Sequence, residues 1–220
     1  MTTDAQAWAE ATEQALLSAA MPLAVEHGWT WRTARLAGRA LGMSAGEVEL
    51  LVPHGPADLA ALLSRRHDEA AMSRLAGIDP ATLKIRARIR TGVEARLEAA
   101  AADQPATRRW MGFLALPPNI PLAGRLAWES ADMIWRWAGD TATDENHYTK
   151  RALLSGILTG GLAVRLADGP AAAMAFVDAR IENVMAFEVW KAKTRFRPSV
   201  FADLMARTLA RARYGDAPAD

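Results

Sequence analysis

Residues 152–164 read ALLSGILTGGLAV, 13 positions without a charge, entered from the polar stretch AGDTATDENHYTKR at 138–151. A bilayer crossing needs roughly 20 apolar residues, so this run is too short to span a membrane and must find its apolar surroundings inside a protein. It predicts a central, buried helix. Gly156 and Gly160 lie four apart on one face of that helix, where a neighbouring helix or an acyl chain can come close. Upstream, Gly139 closes the preceding Trp-rich helix in the left-handed conformation that a Cβ disfavours. Asp140 to Thr143 supply turn chemistry. Asp144 is the expected N-cap, and Glu145 and Asn146 fall in the first turn, where negative charge meets the positive end of the helix dipole.

The rest of the chain also reads at helical period. A first helix is expected from Asp4 to His27, with Pro22 kinking it or splitting it near Ala20. Two short helices, Trp31 to Leu41 and Ser44 to Leu51, flank the LGMS turn with the spacing of a helix-turn-helix, and Ser44 caps the second. Pro53 and Pro56 end this module. A helix from Ala57 to Ala76 is expected to bury Leu59, Leu62, Leu63 and Met72. Asp79-Pro80 restarts the chain as N-cap and first helical position, and Ile85, Ile89, Val93 and Leu97 form the next apolar stripe. Further helices run from Gln104 to Leu116 and from Asn119 to Ala138. The latter carries more apolar surface than one stripe requires, so burial on two sides is expected. Asp168-Gly169-Pro170 turns the chain into a helix from Ala171 to Trp190. The expected fold is therefore all-α with about ten helices. Its parts are a helix-turn-helix-like module at 1–56, a larger helical domain at 57–190, and a basic linker with an amphipathic helix at 191–220.

Charge and composition remove several function classes. With 220 residues of which 51% are hydrophobic, the chain can bury a sizeable core. It has no cysteine, hence neither disulfides nor thiolate metal sites. A net charge of +1 gives no bulk attraction to nucleic acid or anionic membrane, so such contacts must come from local patches. The opening MTTDAQAWAEATEQ has three acids and no base, unlike a secretory signal or an Arg-rich transit peptide, and predicts a cytoplasmic protein.

The helix-turn-helix spacing invites a DNA-binding reading, but its reading helix is AGEVELLV. Glu47 and Glu49 repel phosphates, and no side chain there reads base edges. Arg32, Arg35 and Arg39 on the helix before it can at most touch a backbone, which carries no sequence information. Lys84, Arg86, Arg88 and Arg90 are two apart, and each step turns about 200° around the helix, so they split onto two faces instead of forming one basic track. Enzyme motifs are missing: there is no phosphate-binding glycine loop, no His-Glu-x-x-His and no Gly-x-Ser-x-Gly. Asp144-x-x-His147 alone is far short of a diiron site, which draws about six ligands from four helices, so no metal is expected. The C-terminal segment differs in character. Four bases between Lys191 and Arg197 precede Pro198 and an amphipathic helix with Phe201, Leu204, Met205 and Leu209 on one side and Arg207 and Arg211 on the other. Such a helix suits a membrane surface and equally suits packing on its own domain or a second copy.

The stretch AGDTATDENHYTKRALL, with LALPPNIPLAGRLAW before it and FVDARI after it, resembles the coenzyme Q biosynthesis accessory proteins from about Trp29 to Arg197. Where that family often carries a tryptophan before the tyrosine, this chain has His147. The resemblance implies a TetR-like helical fold and a non-catalytic, lipid- or isoprenoid-binding role. It further implies a homodimer through the helices flanking Gly169 and a partner, the diiron hydroxylase of the ubiquinone pathway, met at the inner membrane surface. By that resemblance Asp144, Asn146, His147 and Tyr148 fall in the patch that docks the hydroxylase, although a tyrosine in a first helical turn can equally be a core residue. The same resemblance turns Trp128, Met133, Leu153, Ile157 and Met185, otherwise ordinary core residues, into candidate lipid contacts. A bound lipid or quinone intermediate is expected, with no other cofactor. The competing expectation from the residues alone is a ligand-sensing repressor.

Overall fold

The computed structural model describes residues 2–141 and 145–194, with side chains at 6–141 and 147–183. Its contacts divide the chain into residues 1–179 and residues 180–220, and all packing below concerns the first unit. The described residues hold nine α-helices and two 3-10 turns, as the all-α expectation required.

Helix α1 (Thr2–His27) runs uninterrupted through Pro22, so the expected break near Ala20 does not occur. Proline removes one backbone bond and crowds the preceding turn, but packing outweighs that cost here. Leu16, Leu17, Ala20 and Ala24 are fully buried on both sides of the proline. The Arg66 guanidinium spans the same turn, donating to the Gln14 carbonyl, Gln14 Oε1 and Ser18 Oγ at 2.8–3.0 Å. Helices α2 (Trp31–Ala40) and α3 (Ala45–Leu51) follow with the predicted turn between them. Ser44 caps α3 in a capping box: the Glu47 N–H donates to Ser44 Oγ, and Glu47 Oε2 accepts from the Ser44 N–H at 2.7 Å.

Helix α4 (Pro56–Leu75) starts at Pro56 and buries Leu59, Leu62 and Leu63 as expected, whereas Met72 is exposed. Met72 lies one position from Ala71, which is fully buried, and the bulk of the stripe therefore passes it by. Asp79 caps only a 3-10 turn at Pro80–Thr82, and α5 (Ile85–Ala102) begins after it. Ile85, expected to lead the stripe, sits at the exposed N-terminus of α5, while Ile89, Val93 and Leu97 are buried. Helix α6 (Gln104–Leu114) leads through a 3-10 turn at Pro117–Asn119 to α7 (Ile120–Trp137).

Helix α7 packs on α4, α5 and α8 (Glu145–Asp168), which accounts for its surplus of apolar residues. Its Ile134 lies 2.6 Å from where a Cβ on Gly92 of α5 would stand, so the two helices meet at a glycine. Helix α9 (Pro170–Thr194) approaches α8 at Gly160, where an added Cβ would fall 2.7 Å from the Phe176 ring. The expected close approach is thus made by a helix at Gly160, while Gly156 faces open space. Among the described residues no helix is long and apolar enough to cross a membrane.

Candidate functional site

The polar stretch that introduces α8 is held by a buried ion network. Gly139, at φ 87°, ends α7 in a Schellman motif: its N–H donates to the Arg136 carbonyl and the Asp140 N–H to that of Trp135. This delivers the Asp140 carboxylate to two cations of α8. Lys150 Nζ donates to Asp140 Oδ1 at 2.7 Å and Arg151 Nη1 to Asp140 Oδ2 at 3.1 Å. Arg151 is only 1% exposed and also donates through Nε to Asp132 Oδ1 at 2.6 Å, while Arg136 holds the other oxygen of Asp132. Desolvation pushes the carboxyls of Asp132 and Asp140 up, but the hydrogen bonds and charges of Arg151, Arg136 and Lys150 outweigh it and hold both below the usual range. Trp135 completes the junction. Its Nε1–H donates to the Lys150 carbonyl, and the Lys150 ammonium lies 5.3 Å from its ring centroid.

On the outer side of this junction three rings gather. Tyr148 lies 5.2 Å from His147 and 6.0 Å from Trp128, and Trp128 lies 6.5 Å from His147, between ring centroids. Tyr148 is 65% exposed, which removes its reading as a core residue. An exposed, pre-packed aromatic cluster is the kind of surface that anchors a partner, because the rings lose little rotamer freedom on contact.

Behind α7 lies a cavity of about 310 Å³ enclosed by helices α4 to α8. Trp110, Leu114, Leu126, Leu158 and Leu162 supply most of its apolar wall. Ser64, Arg96 and Ser130 supply polar groups, linked by Asp68: Arg96 Nε and Ser130 Oγ both donate to Asp68 Oδ1, at 2.6 and 2.7 Å. Trp110 is fixed by its Nε1–H bond to the Ala60 carbonyl and meets His67 edge-on. His67 is itself buried, with Nε2 at 3.2 Å from Asp103 Oδ2 and Nδ1 without a partner among the described residues. Burial first, then the charges of Arg96 and Arg66, lower its pKa to about 3, so the ring is neutral.

The candidate lipid contacts scatter relative to this cavity. Trp128 belongs to the aromatic patch, and Met133 packs with Trp137 on the cluster of Ala71, Leu75, Ala95 and Ala99. Leu153 is exposed, Ile157 is buried, and the side chain of Met185 lies outside the described residues. None of the four described residues lines the cavity. Of the docking candidates, His147 and Tyr148 come together in the aromatic patch, whereas Asp144 and the side chain of Asn146 lie outside the described residues. So do Phe201, Leu204, Met205, Arg207, Leu209 and Arg211.

Sequence reasoning missed the α6 wall of the cavity, because Trp110, Met111 and Leu114 look like any amphipathic stripe. It also missed Arg151. A cation at the border of a long uncharged run, with carboxylates in the preceding helix and turn, is the signal that was there to read. The DNA-binding reading gains nothing from the structure: Glu47 is consumed by the capping box, and Arg35 pairs with Glu49 at 3.0 Å and stacks on Trp31. Of the four bases between Lys84 and Arg90, Arg88 donates to the Leu83 and Ala138 carbonyls, and Arg90 pairs with Asp178 and Glu94. Among the described residues no three His, Asp or Glu side chains form a group that could hold a metal ion.

Comparison with known proteins points to the same half of the molecule. Residues 120–188, which cover α7, the junction and most of α9, match the family model described as COQ9. The mitochondrial ubiquinone biosynthesis protein COQ9 of Xenopus tropicalis is 31% identical over 170 residues, 72% of this chain and 52% of the relative. The Rattus norvegicus protein of that name is 28% identical over 187 residues, 80% of this chain and 59% of its own. The Homo sapiens protein is 29% identical over 156 residues, 67% and 48% respectively. The chain thus spans about half the length of the curated relatives it matches.

Proposed function

Through residues 120–188 the chain belongs to the COQ9 family, and from that premise we propose that it is a non-catalytic accessory protein of ubiquinone biosynthesis that binds an isoprenoid or related lipid and presents it to a pathway hydroxylase. The observation that carries the lipid reading is the cavity of about 310 Å³ behind α7, walled largely by tryptophan, leucine and methionine. That volume lies at the lower end of the roughly 300–1,000 Å³ of ligand pockets, so it seats one end of a long lipid and not the whole. Burial of apolar chain contributes about 0.8 kcal/mol per methylene, enough for a seated tail to survive purification.

The aromatic patch of Trp128, His147 and Tyr148 supports the partner half of the reading. It lies on the outer side of α7, whose inner side walls the cavity, so one helix serves both. Dimerisation through α8 and α9 and attachment to the membrane surface by the segment from Pro198 onward belong to the same proposal. Native mass spectrometry of gently purified protein is expected to find a bound lipid, and its repeated absence overturns the lipid reading. A monomer at micromolar concentration in sedimentation removes the dimer alone. Flotation on anionic liposomes that persists after deletion from Pro198 onward assigns the membrane contact elsewhere.

A further inference from the structure

Four glycines inside helices are explained by what packs on them. An added Cβ would fall 2.2 Å from Val48 at Gly38, 2.6 Å from Ile134 at Gly92, 2.7 Å from Phe176 at Gly160 and 3.2 Å from Leu97 at Gly161. Gly112 in α6 and Gly124 in α7 have no such reason, because a Cβ at either would meet nothing within 4 Å. A glycine inside a helix makes it about fivefold less stable than alanine would, so α6 and α7 are each weakened at a point where no contact requires it. The two points bracket the 3-10 elbow at Pro117–Asn119: Gly112 stands five positions before it and Gly124 five after.

Between these glycines the chain is stiff in itself and loosely held by its surroundings. Pro117, Pro118 and Pro121 fix their own backbone angles. The Leu116 N–H donates to the Phe113 carbonyl and the Asn119 N–H to that of Leu116, while Asn119 Nδ2 donates to the Phe113 carbonyl at 2.8 Å and closes the elbow on the last turn of α6. Beyond the glycines both helices are tied down. Before Gly112, Arg109 donates to the Val25 carbonyl and Trp110 to that of Ala60, and after Gly124, Ser130 donates to Asp68. Among the described residues no side-chain hydrogen bond or ion pair joins positions 111–127 to α1, α4, α5 or α8. The same stretch borders the cavity through Leu114, Ala115, Ile120 and Ala123, and Leu116 and Ile120 are each more than half exposed. We infer that residues 112–124 move as one flap, hinged at Gly112 and Gly124, and that this movement opens the cavity behind α7. The hinges stand on the geometry alone; that a ligand passes them rests on the lipid-binding reading above.

The test is amide hydrogen exchange on the full chain. Helical backbone bonds that span the hinges belong to the amides of residues 112–115 and 124–128. If the flap moves as a unit, the two sets open together, so Gly112→Ala should slow exchange about fivefold at 124–128 as well as in its own turn, and Gly124→Ala should do the converse. An effect confined to the substituted turn overturns the flap. Gly46→Ala in α3, where a Cβ also meets nothing within 4 Å, is the control and should leave both sets unchanged. Slower exchange at both sets in that variant would assign the effect to global stability and overturn the flap as well. Entry is followed by stopped-flow fluorescence of 1-aminoanthracene, its site identified by loss of the signal in Ala127→Trp, which fills the cavity from α7. Gly112→Ala/Gly124→Ala should slow entry and exit equally, by about tenfold or more, with affinity unchanged. An unchanged entry rate overturns the flap as the route into the cavity. If 1-aminoanthracene does not bind the wild type, the ligand reading of the cavity falls, and the exchange coupling alone decides the flap.

Discussion

The junction between α7 and α8 and the cavity behind α7 share a helix and are built on opposite principles. At the junction Asp132, Asp140, Lys150 and Arg151 hold each other in short ion pairs, and little is left for a ligand to do. In the cavity, mostly apolar walls surround about 310 Å³, and Arg96 spends its side-chain hydrogen bonds on Asp68 and Ser64 alone among the described residues. Asp140 and the Lys150-Arg151 pair, which stand in one of the three stretches that carry the resemblance, are those of the junction. The stretch LALPPNIPLAGRLAW, which also carries the resemblance, lines the cavity through Leu114, Ala115, Ile120, Ala123, Leu126 and Ala127. A closed ion network loses stability when one member is removed, whereas a leucine wall tolerates exchange of one apolar side chain for another.

The largest expected effect falls on the junction. Arg151→Met removes a cation that is fully buried between two carboxylates and leaves Asp132 with Arg136 and Asp140 with Lys150. Breaking a buried pair in this way costs about 3 kcal/mol or more, visible as a lower midpoint in urea denaturation. Lipid carried by the surviving folded fraction should be unchanged. A variant of native stability that has lost its lipid would reverse the assignment of the two regions.

Acid separates the regions next. His67 beside the cavity has its folded pKa lowered to about 3 from an ordinary value near 6.5, so the unfolded state binds more protons between those values. Its contribution is complete above pH 6.5 and is lost as pH falls towards 3, with about 2 kcal/mol gone by pH 5. Asp132 and Asp140 are lowered below the carboxylate range, so their contribution persists above about pH 4 and disappears only beneath it. Stability measured from pH 7 to 5 should therefore decline through His67 and flatten in His67→Gln. An unchanged slope in that variant would place the titrating group elsewhere.

The cavity is the place for a smaller change in stability and a larger one in ligand. Ala123 lines the cavity and is half-buried, so Ala123→Trp puts an indole into existing space with a stability change of about 1 kcal/mol. Native mass spectrometry should find this variant empty. Retention of wild-type lipid would mean that the lipid sits outside the space behind α7.

How far these regions could be read from the chain follows from the same contrast. The helix ends were legible because their chemistry is local: Ser44 with Glu47 caps α3, and Gly139 closes α7, within four residues each. Pro22 does not split α1 near Ala20, and the turn before it is tied by Arg66, 44 positions further on in sequence and across the α1–α4 contact. Met72 and Ile85 misled because a period assigns a face to a helix but not the point where the neighbouring helix stops covering it. Of the candidate lipid contacts that the resemblance implies, those on α7 and α8 have their side chains turned to the patch, the core and solvent. Which apolar residues face a void is a property of five helices together, and no window of sequence contains it.

The smallest effect on stability is expected at Tyr148. Its ring is 65% exposed and rests on Trp128 and His147, so Tyr148→Ala should change unfolding free energy by less than about 0.5 kcal/mol. If the patch anchors the hydroxylase, the same change should weaken that complex by about 2 kcal/mol, because a rigid exposed aromatic at the centre of an interface is where binding energy concentrates. His147→Trp tests the patch in the opposite sense. It restores the aromatic that the family often carries and adds apolar area beside Trp128, so affinity for the hydroxylase should rise while the fold is unchanged. Titration of wild type, Tyr148→Ala and His147→Trp against the hydroxylase orders the three. Equal affinities with equal thermal stability would leave the aromatic patch without a partner role, and would leave the junction beneath it as a device that only sets the angle between α7 and α8.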